Sequence, residues 1–134
     1  MPESIESFAA CEVPSTLKHH VYVLFSHLRP DLVKVGRSNG AARIRALRKM
    51  NYADVVDWDP YRIVSLDTTQ AAVAVEAMAH ARLINQGFRV ARFRWTRLPD
   101  RKECLADECF SCTPSHAASV VEEMAHIYNS RVAE

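Results

Sequence analysis

Two short runs rich in valine and leucine, residues 21–26 (VYVLFS) and 32–37 (LVKVGR), flank a connection holding Arg29-Pro30-Asp31. Proline pre-sets a turn dihedral and aspartate can bond its own backbone, so the connection reads as a turn. Apolar runs of strand length on either side of it predict a β-hairpin with a slightly long loop. Ser38-Asn39-Gly40 ends the second strand, and a helix follows over residues 41–50 with Ile44 and Leu47 on its apolar face.

The rest of the chain adds elements without regular strand–helix alternation. Residues 51–59 are a polar loop with two embedded aromatics, Tyr52 and Trp58, and Pro60 opens a strand over 61–66. Asp67-Thr68-Thr69 caps an alanine-rich helix that ends at Gly87. Residues 88–95 alternate and predict a strand, and 97–106 a polar loop. Thr113-Pro114 starts a last helix running to about Arg131, with Val120, Val121, Met124 and Ile127 inward. This predicts an α+β fold: a small, mostly antiparallel sheet of three or four strands flanked by helices. At 134 residues the chain suits a single domain over 18–134, preceded by an arm over 1–17. That acidic arm has no basic stretch and no long apolar run, so it does not read as a secretory signal. No apolar run approaches the ~20 residues of a membrane span. Cytoplasmic location, no membrane partner and reduced cysteines are the expectation.

Net charge is +1, with 17 Lys and Arg against 16 Asp and Glu, but the signs are segregated. Residues 32–50 hold Lys34, Arg37, Arg43, Arg45, Arg48 and Lys49 and no acid. Residues 82–102 hold Arg82, Arg89, Arg92, Arg94, Arg97, Arg101 and Lys102 against Asp100 alone. Such a bipolar molecule presents a basic face suited to a phosphate backbone, or simply a solvated basic surface. Glu76 is the other anomaly. It is the only acid between Thr68 and Pro99, set among Val73, Ala74, Val75, Ala77, Met78 and Ala79. An exposed helix face normally mixes acids and bases, so Glu76 either lines a cleft or balances a surface cation. Arg82, six positions on, lies off its face.

The order Tyr22, Lys34-Val35-Gly36-Arg37-Ser38, Arg43-Ile44-Arg45-Ala46-Leu47, Glu76 with His80, and Glu108-Cys109-Phe110 resembles the GIY-YIG nuclease superfamily, in its T5orf172 or Mug113-like branch. The resemblance covers about residues 18–112. His20 stands where the first motif has glycine, Lys34 where the second has tyrosine, and Cys109 where the last segment has tryptophan. The resemblance implies a metal-dependent DNA endonuclease of phage, mobile-element or defence context. It implies Glu76 as the ligand of Mg²⁺ or Mn²⁺, which polarises the phosphate. Arg43 would neutralise developing phosphate charge. Tyr22 would be the proton acceptor, since a neighbouring cation such as Lys34 favours the phenolate. Lys34 would also be placed to touch the phosphate, and His80, one turn after Glu76, to serve the metal's surroundings or the leaving strand. Arg37, Arg45, Arg48, Arg92 and Arg94 are the candidate nucleic-acid contacts, with DNA the expected partner and RNA left open. A double-strand break would require two such units in concert, hence a homodimer.

Cys104, Cys109, Cys112 and His116 offer four soft ligands within thirteen positions, and Cys109-x-x-Cys112 has zinc-knuckle spacing. Against a structural Zn²⁺, Cys109-Phe110 reads as a short buried strand, and cysteine is often a small core residue. Two alternatives therefore stand beside the nuclease: a non-cleaving nucleic-acid-binding module of the same fold, and a zinc-stapled protein-interaction domain.

Overall fold

The computed structural model describes residues 19–38, 41–90, 93–106 and 108–133, with the side chains of 38, 41–44 and 133 outside the description. The elements run β1 (His20–Phe25), β2 (Val33–Ser38), α1 (Ala41–Lys49), a single 3-10 turn (Tyr52–Asp54), β3 (Asp59–Ser65), α2 (Thr69–Asn85), β4 (Phe93–Arg97), β5 (Lys102–Ala106), β6 (Cys109–Phe110) and α3 (Pro114–Ala133). Residues 1–17, the expected arm, lie outside the description. An antiparallel sheet of order β3-β1-β2-β6 forms the centre, and β4-β5 is a separate hairpin. The α+β architecture is the one the residue pattern predicts. No helix among the described residues is long and apolar enough to cross a membrane.

β1 and β2 are covered on both faces, which is why they read as near-continuous apolar runs instead of alternating ones. Side chains alternate across a strand. Val21, Val23, Val33 and Val35 therefore face one core, built with Ala72, Val75, Ala79 and Leu83 of α2 and with Ala117, Val121 and Met124 of α3. Tyr22 and Leu24 face the other, with Leu47 of α1, Tyr52, Trp58, Trp95 and Cys109. The register sets Tyr22 opposite Gly36 and Lys34 opposite Leu24, so Tyr22, Lys34 and Gly36 share one face.

Local chemistry fixes the helix ends. The Thr68 hydroxyl accepts from the Ala71 N–H at 3.0 Å, and Thr113 from His116 at 3.1 Å. Gly87, at φ +84°, closes α2 with Phe88 N–H on the Leu83 carbonyl and its own N–H on that of Ile84, a Schellman pattern.

Two expectations change. The strand expected over 88–95 begins at Phe93, and Arg89 makes only an isolated bridge to Phe110. The stretch expected as a polar loop contains β5, paired with β4 from Phe93↔Ala106 to Arg97↔Lys102. The turn between them carries an Arg97–Asp100 ion pair at 2.5 Å and Arg101 at φ 59°. A hairpin with one solvated face has few apolar residues, so β5 left a weak trace in the sequence. The two loop aromatics, too, are core: Trp58 is buried and donates to the Tyr52 carbonyl at 2.9 Å.

Candidate functional site

Gly36 is the geometric centre of the site. A β-carbon there would lie 2.7 Å from Tyr22 Oη, 2.8 Å from its Cζ and 3.0 Å from Lys34 Nζ. The phenol and the ammonium thus converge on the space the glycine leaves empty. Tyr22 and Lys34 are each 1% exposed, so the niche is closed to solvent. The Lys34 ammonium lies over the Tyr52 ring, 4.6 Å from its centroid, and 5.7 Å from that of Tyr22. Its carboxylate partner is Glu108, whose side chain is 37% exposed. Burial works to discharge this lysine, but the fields of Tyr22, Glu108 and Tyr52 and the hydrogen bond to Glu108 outweigh it. The net shift is upward, so Lys34 stays charged across the ordinary pH range.

Glu76 belongs to the other side of the sheet, on the helix whose Val75 and Ala79 pack against the opposite core. The two sides meet at the margin of β2. There β6 pairs only with Val33 and Lys34, and the next residue, Val35, gives its N–H to the Glu108 carbonyl at 3.3 Å. The Val35 carbonyl accepts from His80 Nε2 at 2.7 Å. Beyond it, Arg37 Nε stands 3.5 Å from Glu76 Oε1, whose side chain is 16% exposed. Burial first and repulsion from Glu108 second raise the Glu76 carboxyl above its usual range, against the pull of His80, Lys34 and Arg37. Glu76 therefore sits within electrostatic reach of both members of the Lys34–Glu108 pair.

The sequence-derived candidates separate into groups. Tyr22 and Lys34 share the niche, whereas Glu76, paired with Arg37, stands on the helix that packs against the opposite face of the sheet. His80 is a hydrogen-bonded strut whose ring packs on Phe110 at 5.3 Å. Lys34 is sealed beneath Glu108 and is not open to a phosphate, contrary to expectation. The backbone of Arg43 lies in α1, but its side chain, like the whole of Arg92, is outside the described residues. Arg45 is half-buried in α1. Arg48 is not a free phosphate contact: it donates to the Trp58 carbonyl and pairs with Asp59 at 2.9 Å. Arg94 is well exposed and pairs with Glu103 at 3.3 Å. The isolated acid of α2 is balanced by Arg37, while Arg82 pairs with Glu123 of α3 at 3.1 Å.

The soft-ligand set does not assemble. Cys109 points into the core shared by Tyr22, while Cys112 packs against the opposite core. Cys104 lies in β5, and His116 is hydrogen-bonded to Gln86 at 2.8 Å and set against Phe88. Cys104 and Cys112 are free thiols, and burial pushes that of Cys112 up to about 11. Among the described residues no group of three or more His, Cys, Asp or Glu could hold a metal ion. A hard cation on Glu76 would thus depend on one carboxylate and its own waters, a donor set Mg²⁺ accepts. A half-buried carboxylate pressed by a second one also gains from a cation, so the residues fit such an ion.

Two groups escaped sequence reasoning. Glu108 was visible only as the acid of the Glu108-Cys109-Phe110 segment, and Tyr52 only as an aromatic in a polar loop. The T5orf172 domain family matches residues 19–125, most of the chain. No curated protein and no solved structure matches it.

Proposed function

The chain belongs to the T5orf172 family, a GIY-YIG-related nuclease-like family, and from that premise we propose that it is a metal-dependent endonuclease hydrolysing DNA phosphodiester bonds. The observation that carries this reading is the convergence of the Tyr22 hydroxyl and the Lys34 ammonium in the Gly36 niche, with half-buried Glu76 at the margin of the same strand. Tyr22 is the proton acceptor for the attacking water. Lys34 stands beside it in the Gly36 niche, held by Glu108, and acts through Tyr22 instead of on the phosphate. Glu76 would hold the divalent ion, which when bound polarises the phosphate and stabilises the leaving oxygen. Arg43 meets phosphate charge, and His80 fixes α2 against β2. Arg37, Arg45, Arg92 and Arg94 are the candidates for the nucleic-acid path.

One observation favours a second reading. Tyr22 and Lys34 are both sealed from solvent, which suits a module that binds nucleic acid without cutting it. A plasmid-nicking assay with Mg²⁺ and with Mn²⁺, run beside Glu76→Ala, separates the two. The nuclease reading expects metal-dependent nicking that Glu76→Ala abolishes while DNA binding persists. Binding without nicking supports the inert module. Nicking unchanged by Glu76→Ala overturns the assignment of the metal-binding carboxylate.

A further inference from the structure

We propose that Glu108 is a positioning residue of this site: its carboxylate pins the Lys34 ammonium in the Gly36 niche and so fixes the Tyr22 hydroxyl beside it. The proposal rests on the nuclease reading for its catalytic consequence, but its geometry stands alone.

Three observations carry it. Glu108 is the carboxylate on Lys34 Nζ, and it reaches inward from a partly exposed position to a fully buried cation. Its backbone is not free to drift, because its carbonyl accepts from Val35 N–H at 3.3 Å and the next residue, Cys109, is in register with Lys34. Last, the ammonium shares the niche with Tyr22 Oη, so where the charge rests decides what the phenol touches. A lysine head is a point charge on a flexible stem with no geometry of its own. Between two aromatic rings it is the carboxylate that gives it direction. Without Glu108 the same charge would be drawn toward Glu76, which already feels it. It would then compete with a metal ion there. An ordinary surface ion pair would have none of these consequences.

The test uses Glu108→Gln, the double variant Lys34→Met/Glu108→Gln, which leaves no unpaired buried charge, and Lys34→Met alone. Two readouts are taken. The first is nicking with Mg²⁺, resolved into kcat and KM. The second is NMR of protein carrying labelled tyrosine and lysine side chains, recorded without DNA or metal. Glu108→Gln is expected to lower kcat by roughly 100-fold with KM little changed, the scale of an ångström-level misplacement. The Tyr22 ring and Lys34 ammonium resonances should move in the same variant. The double variant should be no slower than Lys34→Met, because Glu108 acts through Lys34. Unmoved Tyr22 and Lys34 resonances in Glu108→Gln would overturn the proposal whatever the activity. So would a double variant slower than Lys34→Met. A wild-type protein that nicks nothing would refute the nuclease reading alone, and the resonances would still decide the positioning.

Discussion

Replacing Gly36 with alanine adds one methyl group at the point where the site converges. The new β-carbon would stand 2.7 Å from Tyr22 Oη, whereas ordinary contact begins near 3.4 Å, so the phenol must retreat by about 0.7 Å. Neither neighbour yields easily. Tyr22 is a rigid side chain on a central strand covered on both faces, and Lys34 is held by Glu108 and Tyr52. Overpacking of this kind costs about 1–3 kcal/mol. The middle of that range corresponds to a fall in Tm of roughly 6–10 °C for a domain of this size. The sign is informative, because Gly36 lies within β2, paired with Tyr22, where alanine would otherwise strengthen the strand. Any loss therefore reports the clash. Nicking should fall by roughly 100-fold, since the displacement acts on the proton acceptor itself. Thermal denaturation by circular dichroism and a plasmid-nicking time course measure the two effects. A Gly36→Ala protein with wild-type Tm and wild-type nicking would show that the phenol and the ammonium do not occupy the niche in solution.

Glu76→Gln should raise Tm at pH 7. The folded-state carboxyl is shifted up from its ordinary 4.5, so its contribution to stability is present below that value and lost as pH rises through the folded one. The variant's advantage should close when the scan is repeated below pH ~4.5, and a variant less stable than wild type at pH 7 would reverse the reasoning. Arg48→Ala should cost about 1.5–3 kcal/mol of stability by leaving the Trp58 carbonyl and Asp59 without their donor. It should leave the salt dependence of DNA binding unchanged, whereas Arg45→Ala and Arg94→Ala should each lessen the salt slope by about one. Phe110→Ala should cost about 3–5 kcal/mol because it empties a buried site between α2 and the sheet. Ser replacement of Cys104 and Cys112 together should cost far less in the same denaturation experiment, and stoichiometric Zn²⁺ in the purified protein would contradict that.

Local physics made much of this molecule legible. The hairpin of β1 and β2, the capped helix ending at Gly87 and the Thr113 cap rest on turn, strand and capping preferences that act within a few residues, and the sequence displays them directly. Glu76 stood out because a lone acid in an alanine-rich helix is a local anomaly. What lay beyond sequence was every property that depends on a distant partner. β5 exists because β4 supplies its hydrogen bonds, not because Lys102 to Ala106 favour a strand. Arg48 is engaged by Trp58 and Asp59, and the zinc set dissolved because Cys109 and Cys112 pack against opposite cores while Cys104 lies in the separate hairpin. Glu108, seventy-four positions from Lys34, became part of the site only when a two-residue strand paired with β2 and brought a carboxylate to a buried cation. Residue type and order determined which chemistry the chain could carry. Pairing across the sheet decided which of those groups meet, because the charge and contact energies involved fall off within a few ångströms and the sequence records no such distances.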